Sequence, residues 1–326
     1  MKLQGKRVLI TGGAGLVGST ITDMLLEKDV KEILLLDKLS RGRRENLTEA
    51  LKDSRLRLIE ADICSKTEVE RAVKNVDLIF HQAAIRISQC AEEPRLALEV
   101  MVDGTFNILE TAQKAGVQKI IAASSAAVYG MAETFPTPET HHPYHNRTFY
   151  GAAKTFNEAM LRSFHEMYGL NYIALRYFNI YGPRMDIFSQ HIEVLIHWMQ
   201  RIENGLPPLI LGTGTQTMDF VYITDVAYSN ILAAESDLTD KIYNIGSGKE
   251  ISLNDLAFAL LKVMKSGLKP EYGPERKVNP VPRRAADISA ARRDLKFQPS
   301  VNLEEGLSQL VRWWRTEKKR ALNHVA

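Results

Sequence analysis

Short apolar runs alternate with longer amphipathic segments through the first half of the chain. Six of the runs are rich in β-branched residues and leucine, and each has the length of one strand. They are Arg7–Thr11, Glu32–Leu36, Leu56–Glu60, Asp77–His81, Lys119–Ala123 and Tyr172–Tyr177. Because the runs are continuous rather than alternating, they predict strands that are covered on both faces. With helical patterns in most of the intervals, the chain is predicted to form a doubly wound parallel sheet.

The regular alternation of strand and helix patterns ends after about Asn179. Glycine and proline concentrate at Tyr181–Arg184, Asn204–Pro208, Gly212–Gly214 and Pro270–Pro282, and long connections interrupt the helices there. We therefore predict two domains within the α/β class. Residues 1–178 form the sheet, and residues 179–326 form mainly a smaller mixed α/β substrate-binding lobe, some segments of which return to the sheet.

Composition places the chain among ordinary globular proteins. It has 326 residues, of which 45% are hydrophobic and 25% charged, and its net charge is 42 − 39 = +3. So small an excess predicts no nucleic-acid and no membrane partner. The amino terminus enters a strand directly, without an apolar signal core, so we expect a cytoplasmic protein. Cys64 and Cys90 are too few for a disulfide framework or a zinc site.

A glycine-rich segment, Thr11–Gly18, follows the first strand and opens a helix. Glycines at 12, 15 and 18 stand where the tight turn, the approach of a pyrophosphate and close helix packing each require the absence of a side chain. Asp37 ends the second strand 37 − 18 = 19 residues later. A carboxylate there accepts hydrogen bonds from the ribose hydroxyls of NAD and repels the extra phosphate of NADP. The segment predicts a Rossmann-type domain.

Basic residues follow this aspartate and could bind the extra phosphate of NADP. They are Lys38, Arg41, Arg43 and Arg44. We nevertheless predict NAD as the cofactor, because Asp37 holds the strand-end position.

Tyr150 and Lys154 stand four residues apart, so they share one face of a helix. Ser125 follows the fifth strand and brings a hydroxyl to the same edge of the sheet. With these residues the chain resembles the extended short-chain dehydrogenase/reductase family, and within it the nucleotide-sugar epimerases. Further matching segments are His81–Ala84, Arg176–Arg184, Asp219–Tyr222 with Asp225, and Leu303–Gly306.

The resemblance implies an NAD site, a catalytic serine, tyrosine and lysine at Ser125, Tyr150 and Lys154, and a homodimer built on helices near Arg95–Ala115 and Phe149–Tyr168. Asp62, after the third strand, is expected to contact the adenine. The remaining cofactor contacts are expected at Leu16, Val17, Ile63, Ala83 and Tyr177, together with Tyr150 and Lys154.

Tyrosine chemistry sets a requirement on the site. A free phenol has a pKa near 10, so a tyrosine base at pH 7 needs a depression of about three units, or roughly 4 kcal/mol. One nearby cation supplies about one to three units. Lys154 is therefore expected to need help from the positive nicotinamide ring. Ser125 would hold the same substrate oxygen and align its hydrogen.

Ala126 and Ala127 discriminate among the reactions of the family. Relatives that eliminate water or decarboxylate carry acidic residues in this segment, because a carboxyl group must move a proton there. Two small apolar residues favour reversible oxidation at C4 of a nucleotide sugar, a 4-epimerase on a UDP-hexose, UDP-N-acetylhexosamine or UDP-uronate. The alternatives are a nucleotide-sugar 4-reductase or dehydrogenase, and a non-catalytic dinucleotide sensor.

Substrate contacts are expected partly from the resemblance. Asn179 matches a diphosphate-binding asparagine, and Leu209–Leu211 resembles a nucleobase-binding strand. Two positions depart from the family: Met218 replaces the usual diphosphate arginine, and Met101 replaces an asparagine. The residues that could substitute for the missing arginine are Arg184, Lys277, Arg283 and Arg284.

Two further expectations concern polar side chains near the substrate. Arg86 lies in the loop that faces the sugar in relatives, where it would suit a uronic carboxylate or be a solvated surface charge. His141, His142 and His145 cluster in a proline-containing loop without a matching carboxylate array, so we predict a substrate-side loop and no metal site.

Overall fold

The computed structural model describes residues 2–188, 193–275 and 281–323, with side chains up to residue 320. Its strands are β1 (Arg7–Thr11), β2 (Glu32–Asp37), β3 (Leu56–Glu60), β4 (Leu78–His81), β5 (Lys119–Ser125), β6 (Tyr172–Tyr177), β7 (Asn179–Tyr181), β8 (Leu209–Leu211), β9 (Thr217–Tyr222), β10 (Lys241–Ile245), β11 (Glu250–Ser252), β12 (Glu271–Gly273) and β13 (Arg283–Arg284). All six predicted strands are present, with shifts of one or two residues at three of them.

Helices fill the intervals. They are α1 (Leu16–Leu26), α2 (Lys66–Val73), α3 (Ile87–Glu92), α4 (Pro94–Leu98), α5 (Gly104–Ala115), α6 (Phe149–Tyr168), α7 (Val194–Glu203), α8 (Ile223–Glu235), α9 (Leu253–Met264), α10 (Ser289–Leu295) and α11 (Leu303–Asn323), with a π-helical turn at Glu99–Asp103. Over the described ranges, none of these helices combines the length and the apolar character needed to cross a membrane.

The main sheet has the strand order β10-β6-β5-β4-β1-β2-β3, and all neighbours are parallel. This is the predicted doubly wound Rossmann-type sheet. Successive residues of β1 point to opposite faces, since Val8 and Ile10 pack in one core with α1, α8 and α10, and Leu9 packs in the other with α2, α5 and α6. Parallel strands covered in this way explain the continuous apolar runs.

β10 was not predicted. It lies far along the chain, yet it pairs in register with β6 from Lys241↔Ile173 to Ile245↔Tyr177. A segment of the second half thus completes the main sheet. The division of the chain at residue 178 stays a prediction.

The second lobe has its own small sheets and core. β9 pairs with β11, β13 and β7, and β8 pairs with β12. Beneath them lies a core in which Trp198 and Trp314 are fully buried among side chains of α7, α9 and α11. β7 follows β6 after one residue, so the lobe stands at the carboxyl edge of the main sheet.

Candidate active site

The glycine loop leaves no room for side chains at two of its positions. Gly12 has φ of +69°, and a Cβ on it would stand 2.9 Å from the Cα of Ala83. A Cβ on Gly18 would stand 2.2 Å from the carbonyl oxygen of Gly12. Gly15 precedes α1 in an extended conformation. The glycines therefore let the loop pack closely against the end of β4 and turn directly into the amino terminus of α1, the kind of helix end at which a pyrophosphate binds.

Leu16 and Val17 form the first turn of α1, and both pack against the core of the second lobe. Ala83 follows β4, and its amide donates to Thr11 Oγ1 over 3.3 Å. The Tyr177 hydroxyl, at the end of β6, lies 3.0 Å from Gln82 Oε1 and is buried. These expected cofactor contacts line the same carboxyl edge; their roles toward NAD stay predictions.

Asp37 ends β2 with its carboxylate buried beneath the glycine loop. Its oxygens accept hydrogen bonds from the amides of Ala14 (2.9 Å) and Leu39 (2.8 Å). Burial raises the pKa of Asp37, and these two hydrogen bonds oppose the rise. Gly42 covers the carboxylate so closely that a Cβ would stand 2.6 Å from it. Sequence analysis did not single out Gly42.

Asp62 and Ile63 follow β3. Lys38 Nζ lies 2.7 Å from a carboxylate oxygen of Asp62. Burial acts to raise the pKa of Asp62, but hydrogen bonds from Lys38 and Cys64, together with the charge of Lys38, lower it overall. Ile63 packs where a side chain on Gly104 would stand, 2.7 Å from its Cδ1. Lys38, one of the basic residues that could suit NADP, is thus already paired.

Ser125, Tyr150 and Lys154 meet at the end of β5. α6 carries the tyrosine and the lysine one turn apart, and Thr148 caps the helix by accepting the Gly151 amide over 3.1 Å. The Ser125 hydroxyl accepts from the Ala127 amide over 3.1 Å and acts to lower the pKa of the Tyr150 phenol. Lys154 Nζ lies 5.9 Å from the centre of the Tyr150 ring and donates to the carbonyl of Ala123 over 2.6 Å.

Burial dominates the electrostatics of this trio. It raises the pKa of Tyr150, and the Ser125 hydroxyl and the charges of Arg41 and Arg284 act in the opposite direction. Burial also lowers the pKa of Lys154 to about 8, against the charge of Glu158. The expected depression of the tyrosine pKa therefore does not come from the protein alone, which agrees with a need for the positive nicotinamide.

Sequence analysis missed a buried ion pair behind the trio. Arg176 makes a two-pronged pair with Glu158, at 2.9 Å and 2.7 Å, and Glu158 also accepts from the Ser124 hydroxyl. Glu158 lies one turn after Lys154 on α6 and Ser124 precedes the catalytic serine. The pair therefore ties α6 to β5 and β6. Glu158 and Arg176 are 18 residues apart, so no local sequence pattern predicts that they pair. Only Arg176 lies in a segment that matches the family.

His81 is likewise structural. Its ring nitrogens lie 2.7 Å from Thr11 Oγ1 and 3.0 Å from Thr105 Oγ1. Burial and the charge of Lys154 lower its pKa to about 3, so the ring is neutral.

Arg86 and Asn179 face the second lobe. Arg86 Nη2 lies 3.0 Å from Glu193 and 3.4 Å from Asp186, so two carboxylates of this chain already engage its charge. Asn179 donates to the carbonyl of Asp219 over 3.1 Å and so links β7 to β9.

The candidate replacements for the missing arginine differ in the partners of their side chains. Arg184 Nη1 lies 2.7 Å from Asp23 on α1, in a surface cleft that it shares with Arg43. Arg283 is half exposed and makes a two-pronged pair with Glu250, at 2.7 Å and 2.8 Å. Lys277 lies outside the described residues.

Arg284 is the candidate whose charge acts on Tyr150. It is the register partner of Met218, the residue that replaces the usual arginine. Its Nη2 atom is buried, without a hydrogen-bond partner among the residues that the structure describes. Burial lowers its pKa to about 10, and the charge of Tyr150 acts in the opposite direction. A buried guanidinium with an unused donor is suited to an anionic ligand.

Met101, the other departure, lies in the π-helical turn Glu99–Asp103. It is buried with Cys90 and Ala153, and Tyr150 packs against this cluster. An apolar side chain here supports the tyrosine ring from behind.

The histidine loop does have a carboxylate, contrary to the expectation from sequence. Glu133 lies 3.2 Å from Nδ1 of His145 and 3.8 Å from Nε2 of His142. Glu133 precedes the histidines by 9 and 12 residues, a spacing for which the sequence reasoning had no template.

The sheet, the glycine loop and the trio together define a Rossmann-type enzyme whose serine, tyrosine and lysine stand beside a dinucleotide site. Residues 8–246 match the model of the NAD dependent epimerase/dehydratase family, and the chain belongs to that family. Its cofactor is NAD, which the glycine loop and the buried Asp37 fit.

Relatives match over nearly the full length. The UDP-glucose 4-epimerase of Mycolicibacterium smegmatis is 32% identical over 316 residues, covering 96% of this chain and 100% of the relative. The solved UDP-N-acetylglucosamine 4-epimerase of Methanobrevibacter ruminantium, in complex with UDP-N-acetylmuramic acid, is similar with a TM-score of 0.91 and 34% identity, covering 96% of this chain and 99% of that one. The Thermus thermophilus UDP-glucose 4-epimerase, solved with NAD, gives 0.85 and 31%, covering 95% and 99%.

Proposed function

We propose that this chain is an NAD-dependent epimerase that inverts the C4 hydroxyl of a nucleotide sugar. The observation that carries the proposal is the meeting of Ser125, Tyr150 and a buried Lys154 at the end of β5, with Lys154 Nζ 5.9 Å from the centre of the Tyr150 ring. Ala126 and Ala127 are buried beside Ser125 and offer no acid for elimination or decarboxylation. The relatives reported above support the same reaction.

Tyr150, Ser125 and Lys154 have different roles in the proposed reaction. Tyr150 takes the proton of the C4 hydroxyl, while Ser125 holds the same oxygen and Lys154 stabilises the phenolate. Bound NAD would supply the hydride acceptor and donor that inversion at C4 requires. The flat 4-keto sugar must turn within the site between the loss and the return of its C4 hydrogen. Tyr150 then returns the proton, so the net reaction consumes neither acid nor base.

The diphosphate is assigned to Arg284. It is the register partner of Met218 and has a buried Nη2 without a partner among the described residues, whereas Arg184 pairs with Asp23 and Arg283 with Glu250. Asn179 on β7 remains a candidate for the same group.

The sugar is proposed to be uncharged, a hexose or an N-acetylhexosamine. Arg86 would have to leave Asp186 and Glu193 to bind a uronic carboxylate, and a third carboxylate would meet the two already there.

One incubation tests these assignments. Purified protein is mixed with UDP-glucose, UDP-N-acetylglucosamine or UDP-glucuronate, without added cofactor, and the sugar products and nicotinamide absorbance are measured. Inversion at C4 without net reduced nicotinamide supports the proposal, with the uronate the poorest substrate. Stoichiometric cofactor consumption would identify a reductase or dehydrogenase, and tight NAD binding without turnover a sensor.

We also propose a homodimer through α5 and α6, as the resemblance implies. Five large apolar side chains on these helices are exposed, and four of them lie together: Phe106 (44%), Phe156 (50%), Met167 (68%) and Tyr168 (53%). These four line one shallow cleft, a face that burial against a second copy would stabilise. In sedimentation, the wild type should be a dimer and the Phe156→Glu, Met167→Glu variant a monomer; two equal masses would contradict this interface.

A further inference from the structure

The loop between the catalytic serine and the catalytic tyrosine contains a set of metal-ligand groups. Glu133 stands on its outgoing limb, and His142 and His145 stand on its returning limb, just before α6. One ligand atom from each of the three residues lies within 4.8 Å of the other two. The set involves no residue of the trio or the glycine loop.

The spacing suits a first-row divalent cation. Zinc binds histidine nitrogen at about 2.0–2.1 Å and carboxylate oxygen at about 2.0–2.2 Å, so neighbouring ligands in a tetrahedron are about 3.3–3.5 Å apart. His145 Nδ1 lies 3.2 Å from Glu133 Oε1 and His142 Nε2 lies 3.8 Å from Glu133 Oε2, so each histidine faces its own oxygen of the carboxylate at close to this spacing. All three side chains are partly exposed, between 38% and 61%. Water can therefore complete the coordination.

Neighbouring hydrogen bonds determine which histidines are available. His141 uses both ring nitrogens, because Nε2 accepts from the Glu133 amide at 3.1 Å and Nδ1 lies 2.8 Å from the carbonyl of His142. In His142, Nδ1 accepts from the Tyr144 amide over 3.3 Å, so the ring proton is on Nε2, which faces Glu133; a metal ion bound through Nε2 would move that proton to Nδ1 and replace the Tyr144 hydrogen bond. A metal ion would take the place of the proton that His145 Nδ1 shares with Glu133 and with the carbonyl of Met131.

We propose that Glu133, His142 and His145 bind one divalent cation of the zinc class. Two imidazoles and one carboxylate favour zinc and its first-row neighbours over magnesium or calcium, which prefer all-oxygen sites. Because a coordinating imidazole nitrogen carries no proton, acid weakens the site.

The cation would fix the loop that joins Ser125 to Tyr150. The limbs already meet where the Met131 amide donates to the His145 carbonyl over 3.2 Å, and a Cβ on Gly130 would stand 2.0 Å from that carbonyl. Asn146, the next residue, accepts from the Thr148 amide over 3.2 Å, and Thr148 caps α6. A metal bridge to Glu133 therefore restrains the segment that leads into the catalytic helix.

Zinc titration of the full-length, tag-free protein against a chromophoric chelator tests the site. We expect one zinc per chain in the wild type. Glu133→Gln, His142→Gln and His145→Gln should each weaken zinc binding by more than about tenfold, the lower end of what losing even an outer-shell partner costs. His197→Gln, which removes a half-buried histidine of α7 outside the cluster, is the matched control and should bind as the wild type does.

Proteolysis gives a readout that does not depend on activity. Zinc should slow cleavage within residues 131–147 in the wild type and leave the triple variant unchanged. Circular dichroism and NAD binding establish that each variant is folded. Zinc binding of equal strength in the wild type and the folded triple variant, or no 1:1 binding in the wild type, would overturn the proposal. Neither result bears on the epimerase assignment.

Discussion

Replacing Arg284 by methionine separates binding of the diphosphate from the chemistry at the tyrosine. Methionine keeps an unbranched apolar side chain and removes the guanidinium. The matched control is Arg283→Met, one residue earlier on β13, whose side chain pairs with Glu250.

The magnitude follows from the buried, unused donor. Hydrogen bonds to charged groups contribute about 1.5–3 kcal/mol, and each 1.4 kcal/mol is a factor of ten. Arg284→Met should therefore weaken the binding of UDP about 10- to 150-fold. Arg283 and Glu250 form a surface pair of the kind that contributes little to stability. Arg283→Met should leave UDP affinity within about twofold, since its partner is a carboxylate of this chain.

A second readout is the pH dependence. The charge of Arg284 acts to lower the pKa of Tyr150. Removing that charge raises the tyrosine pKa, so the limb on which kcat/KM rises with pH should move to higher pH. Calorimetry with UDP and initial rates across pH measure the two effects.

Arg284→Lys tests whether charge or shape matters. The ammonium keeps the charge and loses the planar fork, so it should restore the pH limb better than UDP affinity. If folded Arg284→Met, with NAD affinity intact, bound UDP as the wild type does, the assignment of Arg284 to the diphosphate would be refuted.

Three more changes test the rest of the site. Asp37→Asn removes the charge but keeps one acceptor, so NAD affinity should fall by about tenfold and NADP should bind relatively better; calorimetry with both nucleotides checks this, and an unchanged NADP-to-NAD ratio would contradict it. Burial lowers the pKa of Lys154 to about 8, so kcat/KM should decline above about pH 8 as the ammonium loses its proton, and a profile still rising at pH 9 would argue against its role. Gly18→Ala places a Cβ 2.2 Å from the Gly12 carbonyl and should cost about 1–3 kcal/mol in the free energy of unfolding, whereas Gly267→Ala, with nothing within 4 Å, should be nearly neutral.

The sheet could be predicted from the sequence because buried parallel strands leave a local mark. β1, β3 and β6 have the predicted bounds, and β5 extends two residues further, to Ser125 itself. β10 was missed because its short run, Lys241–Ile245, lies beyond the regular alternation and finds its partner about 68 residues earlier in the chain.

The same distinction between local and distant signals holds for the residues of the site. Residues that act through the backbone, such as Gly12 and Gly18, could be placed because a glycine is required at a fixed point after a strand. Partners that meet only in the fold could not. Arg86 and Glu193 are 107 residues apart, and nothing local distinguishes Arg284 from Arg283, although the charge of one acts on Tyr150 and the other pairs with Glu250.

Tyr150→Phe measures the central claim most directly, because it removes one oxygen and keeps the ring that packs against Cys90 and Met101. NAD affinity by calorimetry and turnover of UDP-glucose and UDP-N-acetylglucosamine are measured on the same preparation. We predict that turnover is lost while NAD affinity stays within about threefold of the wild type, since the oxygen removed is assigned to the sugar hydroxyl. Retained turnover, or an equal loss of NAD binding and activity, would contradict the account.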